Sequence, residues 1–333
     1  APSFKTAIPV TGTTIAAINP TICPLKRRVS TPAVGNATNM HRISREHIAY
    51  RIDKSHPPVL EIDPGDRVTL ETFDARTGTI QSDADLLDHP HPDGANPTTG
   101  PVYVRGAEPG DALKVDIEKI DLAPEGFLAV KAGEGLLAHL ADSYATRMVP
   151  IENGIVHFGD LRFPANPMLG VICTAPAGEG ISTSFAGPHG GNMDNKYLME
   201  GSRIYLPVYV PGALWSLGDV HGAMGDGEIT FIGLEICAEV TVRVDIEKNT
   251  APKRPLIETP SHWITTGEHL DLGQAARIAA EQMLELMQAR SNLSFTDAYM
   301  LMSAAVDVQI CQCCEPGEFP TTARAVISKE VIG

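Results

Sequence analysis

The chain has 333 residues, 43% hydrophobic and 20% charged, which is enough for two domains or one large β-rich domain with a full core. Its 41 acidic and 26 basic residues leave a formal net charge of −15. That excludes a general nucleic-acid binder, which needs a basic stripe against phosphates, and no stretch reaches the roughly 18–20 consecutive apolar residues of a membrane span.

Residues 1–47 read as an N-terminal extension. Its basic cluster, Lys26-Arg27-Arg28, comes late, whereas a secretory signal places basic residues ahead of an apolar segment. A soluble, cytoplasmic protein is the expectation. Residues 48–250 read as a β-rich body. Pro64-Gly65-Asp66 and Pro109-Gly110-Asp111 are matching turns, each ahead of a strand that begins near Val68 or Leu113. Leu113, Val115 and Ile117 alternate with Lys114, Asp116 and Glu118, the period-2 pattern of a half-buried strand. The run Met148–Ile151, then Asn153-Gly154, then Ile155–Phe158 predicts a hairpin, because Asn-Gly suits the two positive-φ positions of a type I′ turn. Ile204, Leu206, Val208 and Val210 alternate again, as do Val240, Val242, Val244 and Ile246.

The character changes at the connector Ala251-Pro252-Lys253-Arg254-Pro255. Leu272, Ala276, Ala279, Met283 and Leu286 recur at steps of three and four, predicting an amphipathic helix over about 270–290. Ser294-x-x-Asp297 resembles a capping box and predicts a second helix start. The expected fold is α+β and predominantly β, a short-strand sandwich or barrel-like body, with a C-terminal helical pair in residues 251–333 packed on it.

The six cysteines (Cys23, Cys173, Cys237, Cys311, Cys313, Cys314) do not make a small-protein disulfide framework in a chain this size. Cys311-Gln312-Cys313-Cys314 lacks the second CxxC pair of a structural zinc site and reads as reduced thiols near a packed helix end. Cys173 and Cys237 lie in apolar strand-like runs, where a thiol is usually inert. His89, His91 and Asp93, in DHPHPDG, read as a solvated loop or lid.

Two segments pack metal-competent groups into glycine-rich backbone: Pro188-His189-Gly190-Gly191-Asn192-Met193-Asp194, and 218–228, GDVHGAMGDGE. If residues 219–221 are extended, Asp219 and His221 share one face, and the same holds for Asp226 and Glu228. Imidazole with carboxylates at this spacing suits zinc or a similar divalent ion, which could activate water and polarise an amide carbonyl. Gly190, Gly191 and Gly225 are expected at positive φ or in close backbone contact with the site.

HGGNMD at 189–194 with GDVHGAMGDGE at 218–228 resembles the hallmark pair of the acetamidase/formamidase family. NPTTGPVYVRGAEPGD at 96–111 and NPMLGVICTAPAGE at 166–179 match it as well, and SAAVDVQICQ at 303–312 resembles the family's C-terminal helix. The resemblance implies a β-rich α+β fold, hydrolysis of short aliphatic amides to carboxylate and ammonia, and a divalent metal, zinc or calcium. It also points to Asp74, in ETFDARTG, as an active-site carboxylate. The combined expectation places metal among Asp74, His189, Asp194, Asp219 and His221. Glu228 or Asp226 would move protons, Asn192 would steady the oxyanion, and Gly190, Gly191 and Met193 would contact substrate. The expected partner is a small-molecule amide, with no nucleic acid and no membrane, and the protein is expected to be a homodimer. Rival readings are a carbamate or a larger or cyclic amide as substrate, or a non-catalytic β-sandwich that binds metal or sugar.

Overall fold

The computed structural model describes residues 39–314 and 319–333, so most of the expected extension lies outside the described residues. Two sheets dominate. The larger has nine strands in the order Met40–Ile43, Arg67–Thr72, Ala238–Glu247, Ala112–Leu122, Arg203–Pro207, Leu256–Glu258, His262–His269, Thr321–Ser328 and Val306–Gln312. The second has seven: Ala186–Gly187, Gly190–Asn192, Met168–Cys173, Trp215–His221, Thr98–Val104 and Ile48–Ala49, with Leu60–Ile62 also on Thr98–Val104. Both sheets send side chains inward into one core, at alternate residues in the first, while the central strands of the second are buried throughout. Val68, Leu70, Val115, Val240 and Val242 come from the first sheet, and Val102, Leu169, Ile172, Trp215 and Leu217 from the second. Each fully buried side chain of this kind contributes roughly 1.5–3 kcal/mol. The first sheet's half of the sandwich is therefore the direct outcome of period-2 patterning.

The local signals behave as their chemistry dictates. Asn153 and Gly154 sit at φ 51° and 77° between Ala145–Glu152 and Ile155–Phe158, which pair antiparallel. The two Pro-Gly-Asp turns are one device used twice. Asp66 Oδ2 accepts from Asp63 N at 3.0 Å and Asp111 Oδ2 accepts from Glu108 N at 2.9 Å. Both aspartates are buried, so each satisfies the amides of the turn that starts its strand.

Helix α1 (Leu272–Ser291) starts on an Asp271 cap and ends at Asn292 in the left-handed region. It buries Ala275, Ala279, Met283 and Met287, an i, i+4 stripe set beside the expected one, and Ala276 and Leu286 are only half-buried. Helix α2 (Phe295–Ala305) starts on Ser294, whose hydroxyl accepts from Asp297 N at 3.1 Å. Helix α3 (Lys329–Ile332) closes the chain.

Two expectations need correction. The segment 303–312 is not a helix: α2 stops at Ala305, and Val306–Gln312 is an antiparallel strand on Thr321–Ser328. Val306, Val308 and Ile310 alternate with Asp307 and Gln309, a strand pattern that outweighs the helix before it. Strand pairing also crosses both expected domain boundaries. Met40–Ile43 pairs with Arg67–Thr72, and the segment after 251 adds four strands to the larger sheet as well as its helices. No helix among the described residues is long and apolar enough to cross a membrane.

Candidate metal centre and adjoining pocket

The two glycine-rich segments meet because Gly190–Asn192 and Trp215–His221 flank the same strand, Met168–Cys173. Asp194, Asp219 and His221 converge there, with ligand atoms within 4.8 Å of one another. His221, Glu228 and Glu235 form a second group on the same criterion. The imidazole is the focus: His221 Nε2 lies 3.1 Å from Glu235 Oε1, 3.7 Å from Asp219 Oδ1, 3.9 Å from Asp194 Oδ1 and 4.0 Å from Glu228 Oε1. All five side chains are buried.

The backbone is bent to achieve this. Asp194, Asp219 and Glu228 have φ of 42°, 55° and 46°, a region that costs a non-glycine residue roughly 1–2 kcal/mol. Such strain persists where the surrounding structure over-determines it, typically at a functional site.

Four carboxylates and one imidazole are thus held out of water, and among the described residues no lysine or arginine pairs with any of the four. Buried like charges cannot coexist without protons or a cation. In the metal-free molecule the answer is protons. Burial, then the charge of Glu228, pushes the Asp194 carboxyl well above the ordinary range. Burial also raises Glu228, against the pull of His221, and lifts Glu235 to about 8. Burial would lower His221, but Glu235 and Asp219 override it and raise the imidazole. Asp194 Oδ1, Asp219 Oδ1 and His221 Nδ1 are buried without a hydrogen-bond partner. Orphaned oxygens and excess negative charge are the features a divalent cation satisfies.

Gln312, from the sheet-edge strand, ties the cluster together. Its Nε2 donates to Asp194 Oδ2 at 2.7 Å and to Glu228 Oε2 at 3.1 Å. Glu228 Oε1 also accepts from Gly233 N at 3.1 Å. Gly170 leaves the space between the two aspartates: a Cβ there would lie 2.7 Å from both Asp194 Oδ1 and Asp219 Oδ2. Gly170→Ala should therefore lower metal affinity and turnover at least about tenfold, with an overpacking cost of roughly 1–3 kcal/mol. Metal titration beside a thermal melt checks this, and unchanged affinity would show that the aspartates need not meet.

The cluster opens on a cavity of about 220 Å³ lined by Asn192, Asp219, Glu228, Glu235 and Gln312 on the polar side, and by Leu87, Phe231, Ile232 and Phe319 on the apolar side. His89 and His91 also line it, and His89 is largely exposed, which places the DHPHPDG loop at the outer edge.

Not every expected residue arrives. His189 is buried with neither ring nitrogen partnered. It packs against Gly187 and Gly191 instead of joining the carboxylates, and burial lowers its pKa to about 4. Asp74 Oδ1 accepts from Arg76 N at 2.8 Å and Gly78 N at 3.0 Å, so it shapes the loop behind the site and lies outside both ligand groups. Asp226 turns away: its Oδ2 accepts from Arg324 Nη2 at 2.6 Å and pairs with Lys196 Nζ at 2.9 Å. It balances a fully buried guanidinium, because the chain turns at Glu228 and is not extended from 226 to 228.

Met193 sits in the main core, while its neighbour Asn192 lines the pocket. Gly190 and Gly191 have positive φ, but a Cβ on them would lie 2.2 Å from Ile172 O and 2.0 Å from Phe185 O. They serve strand packing and not the pocket. Gly225 has open space and no positive φ. Cys173 is buried, with its thiol pushed up to about 12 by burial, and neither it nor Cys237 lines the pocket. Cys314 does line it, with Sγ 3.8 Å from Glu228 Oε2.

Glu235 and Gln312 were missed in the sequence. Glu235 is a lone carboxylate in the apolar run Phe231–Cys237, which was the available signal. Gln312 was hidden by the helix reading of its segment.

The acetamidase/formamidase family model matches residues 36–184 and 177–327. A putative formamidase of Schizosaccharomyces pombe is 31% identical over 250 residues, covering 56% of this chain and 61% of that protein. The formamidase of Methylophilus methylotrophus is 30% identical, covering 59% and 63%, so this chain spans less than two thirds of the length of these curated relatives. The crystal structure of an acetamidase from Bacillus halodurans superposes with a TM-score of 0.84 at 38% identity, covering 88% of this chain and 99% of that one. The chain belongs to the acetamidase/formamidase family.

Proposed function

We propose that the protein hydrolyses a carboxamide: R–CO–NH2 and water give R–COO⁻ and NH4⁺. The observation that carries this is the buried cluster of four carboxylates and one imidazole opening on a pocket, in a chain of this family. Asp194, Asp219 and His221 would hold a divalent ion. Two carboxylates and one imidazole suit zinc with an open position, and calcium would require six to eight oxygen ligands. When bound, the ion would lower the pKa of water and polarise the substrate carbonyl.

The remaining work falls to the chain's own groups. Asn192 lines the pocket and offers its side-chain amide to the developing oxyanion. Gln312 Nε2 donates to Glu228 Oε2 and sets the angle of that carboxyl. Glu235, also on the pocket face, takes the water proton as the C–O bond forms and returns it to nitrogen as the C–N bond breaks. In the same reading the protein is a cytoplasmic homodimer, and Phe295, Tyr299 and Met300 of α2, all exposed, offer a symmetric contact beside the sheet edge.

The test is ammonia release from a panel of amides before chelation, after it, and after zinc is restored. Activity that falls on chelation and returns with zinc supports the reading. Undiminished turnover in metal-free protein would remove the ion from it.

A further inference from the structure

We infer that the pocket selects an amide whose acyl group is about the size of a six-membered carbocycle, so that formamide and acetamide underfill it; this rests on the amide-hydrolase reading. A cavity of about 150 Å³ lined by aliphatic and aromatic groups accommodates benzene. The cavity here is about 220 Å³, against roughly 225 Å³ for a ring plus the three heavy atoms of a carboxamide at that same benzene packing of roughly 25 Å³ per heavy atom. Formamide has three heavy atoms in all, and acetamide four.

The lining is divided by chemistry. The groups that would handle a carboxamide lie together: Asn192, Asp219, Glu228 and Glu235. The rest of the substrate would meet Leu87, Phe231, Ile232 and Phe319. Arg76, Asn96, Lys131 and Ser184 also line the cavity, so selection is by size and by apolar contact along Leu87, Phe231, Ile232 and Phe319. The wall is also supported from behind. Leu87 and Ile232 belong to a buried cluster with Ile80, Phe127 and Ala129, against which Phe231 packs. Phe319 stacks on Phe185 with ring centroids 5.4 Å apart and planes 24° from parallel. A wall built from supported aromatic and branched groups does not collapse onto a small substrate, so the vacant volume weakens short amides instead of adapting to them.

The experiment compares formamide, acetamide, cyclohexanecarboxamide and benzamide by ammonia release with the zinc-loaded full chain. It also measures binding of acetate, benzoate and benzamide by calorimetry, which separates fit from intrinsic amide reactivity. At about fourfold per buried methylene, kcat/KM for the two ring amides should exceed that for acetamide by at least about tenfold. Benzoate should bind more tightly than acetate by a similar factor. Phe319→Ala should lower the ring-to-acetamide ratio, because it removes one side of the wall.

A preference for formamide or acetamide, with benzoate binding no more tightly than acetate, would overturn the inference and leave the amidase reading intact. Ammonia from none of the four would overturn the amidase reading. In that case tighter binding of benzamide and benzoate than of acetate would still support the ring-sized pocket, and equal binding would end it.

Discussion

Replacing His221 with alanine is expected to strip the protein of metal and of turnover together. The reason is geometric: His221 Nε2 lies between 3.1 and 4.0 Å from an oxygen of Glu235, Asp219, Asp194 and Glu228, and it is the one nitrogen donor in either ligand group. Without it, only carboxylates repelling one another at short range remain. Zinc content should fall from about one per chain to background, and kcat/KM by at least about a hundredfold. A second readout does not depend on activity. An ion present at a hundred times its Kd stabilises a wild-type protein by about 2.7 kcal/mol, visible as a higher Tm that the variant should lack. His189→Ala is the internal control. Its imidazole is equally buried but touches none of the carboxylates, so metal and turnover should survive. Zinc retained by the His221 variant and lost by the His189 variant would move the centre to the other histidine.

That contrast shows where sequence reading succeeds and where it stops. His189 and His221 both sit in glycine-rich segments with a nearby aspartate, and nothing local separates them. The difference is tertiary: Trp215–His221 carries its histidine into the cleft, while the tight path through Gly190 and Gly191 turns His189 into the packing between strands. Alternation was enough to find the strands around Leu113 and Val240, and Asn153-Gly154 and the Ser294 cap were legible because turn and cap chemistry acts over a few residues. Gln312 was not. Its partner Asp194 is 118 positions away, and the family resemblance reads its strand as part of a C-terminal helix. The shared face expected for Asp226 and Glu228 is absent for a related reason. Spacing of two places side chains on one face only in extended backbone, and the left-handed φ at Glu228 breaks that assumption.

Glu235→Gln should make the metal-free protein more stable at pH 8 while removing activity from the zinc-loaded one. Burial, against the opposing charge of His221 and with the repulsion of Asp219, holds the Glu235 pKa at about 8, above the ordinary 4.5. The sign follows from proton linkage. Between the ordinary value and about 8 the native state keeps a proton that the unfolded chain has lost, so stability declines as pH rises through that window and levels off above it. Glutamine cannot ionise, and its amide is close to the same shape, so the part of the decline due to this residue disappears. Thermal melts of chelated wild type and variant from pH 5 to 9 should therefore diverge as pH rises, with the variant higher. In the loaded enzyme the same change removes the group that carries the proton from water to the leaving nitrogen, and kcat should fall about a hundredfold or more. Cys314→Ala, which alters a sulfur-bearing side chain on the pocket lining, should keep most of the activity. A Glu235→Gln variant that turns over normally would return the proton work to Glu228, and loss of activity in the Cys314 variant alone would point to a thiol nucleophile.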